Sequence, residues 1–288
     1  MAIWNLGAIN ADLVYAVPHI PAGGETLSST GRATYMGGKG ANMSVAIARA
    51  GSRINHIGAL GPDGGWALQR LMEYGVDTRH IAQIETATGH AIIMVDTQGE
   101  NAILLHAGSN GEVPQTALQT AMSEAQTGDW FVTQNETNLQ RTGASLAKKM
   151  GLKVAYAAAP FSAERVQAVL AHLDFLILNE VEAQQLTDAT GKTPDALGIR
   201  DVVVTLGGDG ADWFGPDGKQ HFDAIPVTPV DTTGAGDTFT GYLLAGLDQG
   251  MPMAQAIALA TKAGALMVTR KGTADVIPDL SEVRAFNG

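Results

Sequence analysis

Short, nearly unbroken apolar runs recur along the chain at residues 3–7, 54–59, 130–133, 153–157, 175–178 and 202–206, and each suits a buried strand. Between several of them lie helix-like segments at 40–50, 65–74, 115–126 and 138–150. Each is followed by a glycine (Gly51, Gly75, Gly128, Gly151) that can stop a helix in the left-handed conformation. Strands alternating with helices over compact connections predict an α/β fold. The expected form is a doubly wound, mostly parallel sheet flanked by helices.

One stretch breaks the rhythm. Ala91-Ile92-Ile93-Met94-Val95 and Asn101-Ala102-Ile103-Leu104-Leu105 are separated only by Asp96-Thr97-Gln98-Gly99-Glu100, the pattern of a β-hairpin with no intervening helix. With extended segments near 12–17 and 26–36, the region 88–106 is expected to form a small β-sheet lid on a single domain spanning 1–288. Such a sheet exposes an apolar face that a second copy could cover, so a homodimer through the lid is expected.

Composition narrows the function. The 288 residues are 45% hydrophobic and 16% charged with no low-complexity tract, as in a globular chain. Eighteen basic against 29 acidic residues give a net charge of -11, and the longest basic clusters are Lys148-Lys149 and Arg270-Lys271. That argues against nucleic acid or a membrane surface as partner. The absence of cysteine excludes disulfides, thiolate metal sites and a cysteine nucleophile. No basic n-region precedes Asp12 and no long apolar run occurs, so a cytoplasmic location is expected. The seven histidines show no metal-ligand spacing.

The chemistry concentrates in Asp231-Thr232-Thr233-Gly234-Ala235-Gly236-Asp237-Thr238, just before an apolar helical run at 239–247. Helix N-termini carry unpaired N–H groups and partial positive charge, and Gly234, Ala235 and Gly236 put almost no bulk before those amides. The stretch reads as a phosphate cradle. Asp237 within it would repel an anion unless it accepts a proton from an attacking hydroxyl; the plainer alternative is an ordinary helix N-cap. Other nucleotide motifs fail. Gly191-Lys192-Thr193 lacks the first glycine of a P-loop, since position 186 is Leu. Residues 58–64 do not have dinucleotide-fold spacing.

A second glycine turn, Met36-Gly37-Gly38-Lys39-Gly40-Ala41-Asn42, opens the helix at 40–50 and offers close backbone approach and an amide side chain to a small polar ligand. With both motifs in this order, the chain from Gly7 to about Pro278 resembles the ribokinase-like (PfkB) carbohydrate kinase family, most closely its ribokinase branch. Asn10-Ala11-Asp12, Gly24-Glu25-Thr26, Asn179-Glu180-Val181-Glu182, Thr205-Leu206-Gly207-Gly208-Asp209-Gly210 and Val268-Thr269-Arg270-Lys271-Gly272 add to the match.

The resemblance implies an ATP-dependent sugar kinase of the ribokinase-like fold, with D-ribose the leading acceptor and another sugar or a nucleoside the alternative. It assigns Asp237 as catalytic base and Gly234, Ala235 and Gly236 as amide donors to the transferred group. It assigns Asn10, Asp12, Gly38, Lys39, Asn42 and Glu136 to the sugar. Asn179, Thr205, Gly207, Gly208 and Gly210 fall to the nucleotide, with the helix near 262–266 beside its base. Glu182 would support Mg2+ through water, and Asp231, Thr233 and Gly272 a monovalent cation, expected to be K+. Read singly, Asp12 also fits a turn residue and Asn179 a helix cap. Two departures stand out: Ala157-Ala158-Ala159-Pro160 replaces the family's Asn-Pro-Ala-Pro, and Val276 lies where a serine hydroxyl can serve the cation.

Overall fold

In the computed structural model, which describes residues 1–286, β1 (Ile3–Leu6) opens the main sheet. The chain then leaves that sheet for β2 (Asn10–Ala16) and β3 (Gly31–Gly37) and returns through α1 (Lys39–Arg49) to β4 (Ile54–Leu60). Helix α2 (Gly65–Glu73) leads to β5 (Asp77–Gln83), after which β6 (Gly89–Val95) and β7 (Asn101–His106) again lie outside. Alternation resumes with α3 (Gln115–Glu124), β8 (Trp130–Thr133), α4 (Gln140–Lys149), β9 (Lys153–Ala157) and α5 (Ala163–Val169). It continues with β10 (Phe175–Asn179), α6 (Glu180–Thr190) and β11 (Asp201–Thr205). A hairpin of β12 (Ala211–Gly215) and β13 (Gly218–Phe222) precedes α7 (Ala235–Asp248), α8 (Met253–Val268) and α9 (Leu280–Ala285).

Among the described residues the main sheet has the order β13-β12-β11-β10-β9-β8-β1-β4-β5. It is parallel from β5 to β11, β12 pairs antiparallel with β11, and β13 pairs antiparallel with β12. Strand β1 pairs with both β4 and β8, so the chain builds outward to β5 and then crosses back. At such a switch the connections leave in opposite directions and open a crevice at the carboxyl ends of the strands.

The two-residue period of the strands divides the interior into two cores. Ile3, Trp130, Val132, Ala155, Phe175 and Ile177 face α1, α2, α7 and α8, while Trp4, Phe131, Val154, Tyr156, Leu176 and Leu178 face α3, α4, α5 and α6. Helices such as α2 and α4 bury only a stripe, whereas α7 is buried on nearly every side between α1 and α8. Among the described residues no helix is long and apolar enough to cross a membrane.

The four strands outside form a small sheet of order β3-β2-β6-β7, in which β2 pairs antiparallel with β3 and parallel with β6. The hairpin expected from residues 91–105 is β6–β7. The extended segment expected at 26–36 is strand only from Gly31, because Thr30 turns its amide and hydroxyl onto the Ala16 carbonyl. The helix expected from 138 begins at Gln140: the Asn138 side chain is engaged with both backbone groups of Val113, and Leu139 takes a left-handed φ of 67°. Strands β5, β12 and β13 escaped the hydrophobic pattern because they sit toward the sheet's margins and carry polar residues such as Asp77, Arg79, Lys219 and His221.

Where β1 runs into the small sheet it crosses the start of α1 at two glycines. A Cβ on Gly40 would lie 2.4 Å from the Gly7 Cα, and one on Gly7 2.5 Å from the Gly40 Cα. Both obstacles are backbone, so neither can give way. This close approach brings the Gly38–Asn42 segment onto the crevice.

Candidate active site

Helix α7 starts at Ala235, earlier than the apolar run at 239–247 suggested, so the second half of the glycine motif is its first turn. Gly234 caps it with φ 75°, a conformation that disfavours any side chain, and a Cβ there would also press within 3.0 Å of Met267 Cε. The Ala235 amide is turned onto the Thr232 carbonyl at 3.2 Å, whereas the amides of Gly236 and Asp237 have no backbone acceptor among the described residues. An anion at this helix start meets those two amides rather than that of Ala235.

Beside the helix start lies a cavity of about 380 Å³. Thr205, Gly207, Gly208 and Gly210 form one wall, with Gly236 at its head and Gly264 and Val268 of α8 opposite. Residues 224–227 and Pro229 complete it. This contribution was hidden in the sequence because the segment has no motif and little regular structure. Thr261 also lines it, with a buried hydroxyl that has no partner among the described residues. Gly264 and Ala265 of the helix stretch expected beside a base line the cavity, while Lys262 at its start donates from Nζ to the Phe286 carbonyl at 3.1 Å. No charged side chain lines the cavity, which suits a flat, uncharged heterocycle.

Asn179 lies outside this wall. Its side chain accepts from the Glu182 amide at 2.8 Å, while Glu182 Oε2 accepts from the Asn179 amide at 2.8 Å, a reciprocal cap on α6. The cap leaves Glu182 Oε1 free, and burial holds the Glu182 carboxyl above the usual range. Asp231 accepts from the Thr233 amide at 2.9 Å and the Gly272 amide at 3.2 Å, one on each oxygen. The three residues expected around a monovalent cation are therefore together. The Val276 methyls approach Gly272, where a Cβ would lie 3.3 Å from one of them.

On the other side of Asp237 the small sheet and α1 supply polar groups. Asp12 projects from β2 over Gly37, where any Cβ would collide with its carboxylate at 2.0–2.3 Å. Gly38 turns the chain with φ 92° and its Cβ position is filled by the Ala8 carbonyl. Glu136, in the loop after β8, accepts from the Lys39 amide at 2.8 Å. Asn42 Nδ2 donates to Asp237 at 2.9 Å, so this residue orients Asp237, while its Oδ1 is buried without a partner among the described residues. Asn10 Oδ1 accepts from Asn110 at 2.7 Å.

A second cavity, of about 550 Å³, continues outward from Asn10 and Glu136 past Asn110, Gln140, Arg165 and His106. Asn110 and Arg165 were not anticipated, because neither lies in a motif. Asn110 braces the turn after β1 through both backbone groups of Ile9. Arg165 grips the carbonyls of Asn135 at 2.8 Å and Thr137 at 3.4 Å, on either side of Glu136.

The charges of the site act as a set. Burial pushes Asp237 up, opposed by the Lys39 ammonium and by the Asn42 hydrogen bond. Burial also pushes Asp12 up to about 7, with the charges of Glu136 and Asp237 adding. Burial raises Glu136 as well, and Lys39 opposes it. Lys39 itself is raised, chiefly by Asp237. One ammonium thus sits among the carboxylates of Asp237, Glu136 and Glu182, while Asp12 feels the charges of Glu136 and Asp237, a proton-accepting pocket placed between an amide cradle and a polar cavity.

Comparison with known proteins agrees with this arrangement. The model of the pfkB family carbohydrate kinases matches residues 3–280. Ribokinase of Schizosaccharomyces pombe is 35% identical over 303 residues, covering 96% of this chain and 95% of that protein. Among solved structures, ribokinase of Cryptococcus neoformans in complex with ADP has a TM-score of 0.85 at 31% identity, covering 99% of both chains. Arabidopsis thaliana ribokinase complexed with ribose and ATP has a TM-score of 0.88 at 27% identity, covering 99% and 98%. Both family motifs, the fold and the juxtaposed cavities lead to one conclusion: the chain belongs to the pfkB family of carbohydrate kinases.

Proposed function

We propose that this kinase transfers the γ-phosphoryl group of ATP to the 5-hydroxyl of D-ribose. The observation that carries the reading is the place of Asp237, a buried carboxylate in the first turn of α7 with the apolar cavity on one side and Asp12, Lys39 and Glu136 on the other. The ribokinases that bind ADP, or ribose with ATP, support the choice of substrates.

The adenine fits the cavity between the 205–210 loop and α8, and the triphosphate reaches the amides of Gly236 and Asp237. Vicinal sugar hydroxyls donate to the Asp12 carboxylate, which is otherwise unpaired, with Glu136 and the Asn10 amide beside it. Asp237 accepts the proton of the 5-hydroxyl as that oxygen attacks the γ-phosphorus; the new O–P bond forms, the bond to the β-phosphate oxygen breaks, and ADP leaves. Lys39 holds positive charge close to the transferred group. Glu182 would hold Mg2+ through water, and the ion would supply charge neutralisation on the phosphates. No cluster of three acidic or histidine groups forms a metal cage among the described residues. Asp231, Thr233 and Gly272 are assigned to K+ beside the cradle. The small sheet serves as a lid over the sugar, and Ile103, Leu104 and Leu105 on β7, 57%, 64% and 54% exposed, are assigned to a homodimer contact.

Three outcomes are expected. In an ADP-release assay across pentoses, 2-deoxyribose, hexoses and nucleosides, D-ribose should give the highest kcat/KM, and K+ should raise turnover over Na+. A better substrate elsewhere in the panel, or equal rates in the two salts, would remove the corresponding assignment. Light scattering at micromolar concentration should report a dimer; monomer alone would refute the lid contact.

A further outcome concerns pH. Because burial and the neighbouring carboxylates push Asp12 up to about 7, kcat/KM for the sugar should fall about tenfold per pH unit below that value. The limb belongs to the coupled carboxylates as a set. The same shift destabilises the protein without substrate: above pH 7 the folded chain carries a charge that the unfolded chain tolerates better. That contribution fades as pH falls from about 7 toward the unfolded value of 3.8. Asp12→Asn should therefore raise Tm at pH 8 by a few degrees while raising the sugar KM at least tenfold. A Tm unchanged or lowered at pH 8 would contradict it.

A further inference from the structure

The segment between α8 and α9 touches both halves of the site through two neighbouring residues. The Gly272 amide donates to Asp231 at 3.2 Å, and Asp231 in turn holds the Thr233 amide one residue before the cradle glycine Gly234. The next residue, Thr273, donates from its hydroxyl to the Met36 carbonyl at 2.9 Å. Met36 immediately precedes Gly37, Gly38 and Lys39, the turn that faces the sugar. Strand β3 is an edge strand, so its outer row of backbone groups has no strand partner, and the Thr273 hydroxyl satisfies one of them out of water.

The segment making these two bonds is firmly anchored. Arg49 of α1 donates to the Ile277 carbonyl and, at 3.4 Å, to that of Asp275. The Asp275 carboxylate receives Arg70 of α2 at 2.6 Å and the Tyr74 hydroxyl. A movement of the β3 end during sugar binding therefore cannot be absorbed by slack at residues 272–277. It must either break the Thr273 bond or be carried one residue along to Gly272 and Asp231.

We propose that Thr273 is a positioning residue whose hydroxyl couples the sugar-binding turn to the nucleotide cradle, so that each substrate tightens the binding of the other. The proposal rests on the assignment of the 37–39 turn to sugar and the 231–237 segment to nucleotide. Coupling of this kind is reciprocal: the factor by which sugar lowers the Kd for ADP must equal the factor by which ADP lowers the Kd for sugar. Thr273 lines neither cavity, so its effect runs through Met36 and the adjoining Gly272.

The test compares Thr273→Val, which keeps shape and loses the hydroxyl, with Thr273→Ser, which keeps the hydroxyl. The acceptor is whichever sugar the wild-type enzyme turns over best. Calorimetry measures Kd for ADP with and without saturating sugar, and steady-state kinetics gives KM for sugar. Thr273→Val should raise the sugar KM about 5–10-fold and cut the sugar-induced tightening of ADP by a similar factor, on the scale of ordinary allosteric couplings. Thr273→Ser should restore both. Should the valine variant fold poorly, Thr273→Ala is read in the same way. Wild-type coupling in the hydroxyl-free variants would overturn the proposal, as would equal impairment in the serine variant. Failure of every sugar to support turnover would instead overturn the underlying assignment of the site.

Discussion

Buried carboxylates gathered beside one ammonium are the interaction on which the rest of the site depends. Asp237 and Glu136 arrive from α7 and from the loop after β8, Lys39 at the start of α1 is coupled to both, and Asp12 of β2 feels the charge of each carboxylate. Burying that much negative charge costs stability unless it is offset, and Asp12 has no hydrogen-bonding partner among the described residues to offset it. The fold tolerates this because a large packed interior surrounds the site. The two cores pack the main sheet on both faces, and the charged groups lie only where the strands end and chain connections diverge.

Close backbone approach makes the convergence possible. Gly7 and Gly40 let β1 and α1 touch, Gly37 leaves room for the Asp12 carboxylate, and Gly234 turns the chain into α7 so that Gly236 and Asp237 present free amides. Only at Gly37 would a side chain strike a charged group of the site directly; at Gly7 and Gly40 it would strike backbone, and at Gly234 it would oppose the left-handed turn. The glycines of the two motifs therefore have different physical duties, some steric and some conformational, and a motif description merges them.

Much of this was legible in the sequence. The parallel strands were visible because burial on both faces leaves unbroken apolar runs, and the hairpin β6–β7 because it lacks a helix. Asp237 stood out because a carboxylate in a phosphate cradle requires a reason. Strands β5, β12 and β13 were not visible, since marginal strands carry polar residues that erase the pattern. Asn110, Arg165 and Thr261 were equally hidden: each reaches the site through tertiary packing, and no local spacing announces it. Asn179 and Glu182 show the converse. The cap anticipated for Asn179 forms as an ordinary reciprocal helix cap, and what makes the pair interesting is only that Glu182 is also near Lys39 and Asp237.

Asp237, between the cavity headed by Gly236 and the one lined by Asn10 and Glu136, is the proposed proton acceptor on which everything else rests. Replacing it with asparagine keeps its size and its contact with Asn42 while removing the basic oxygen. The most direct measurement is single-turnover phosphoryl transfer by Asp237→Asn alongside calorimetric ATP binding by the same sample. The predicted result is transfer slowed at least about a thousandfold, the combined effect of losing the base and its charge, with ATP bound within a fewfold of wild type. Transfer at near wild-type rate with ATP binding intact would contradict it.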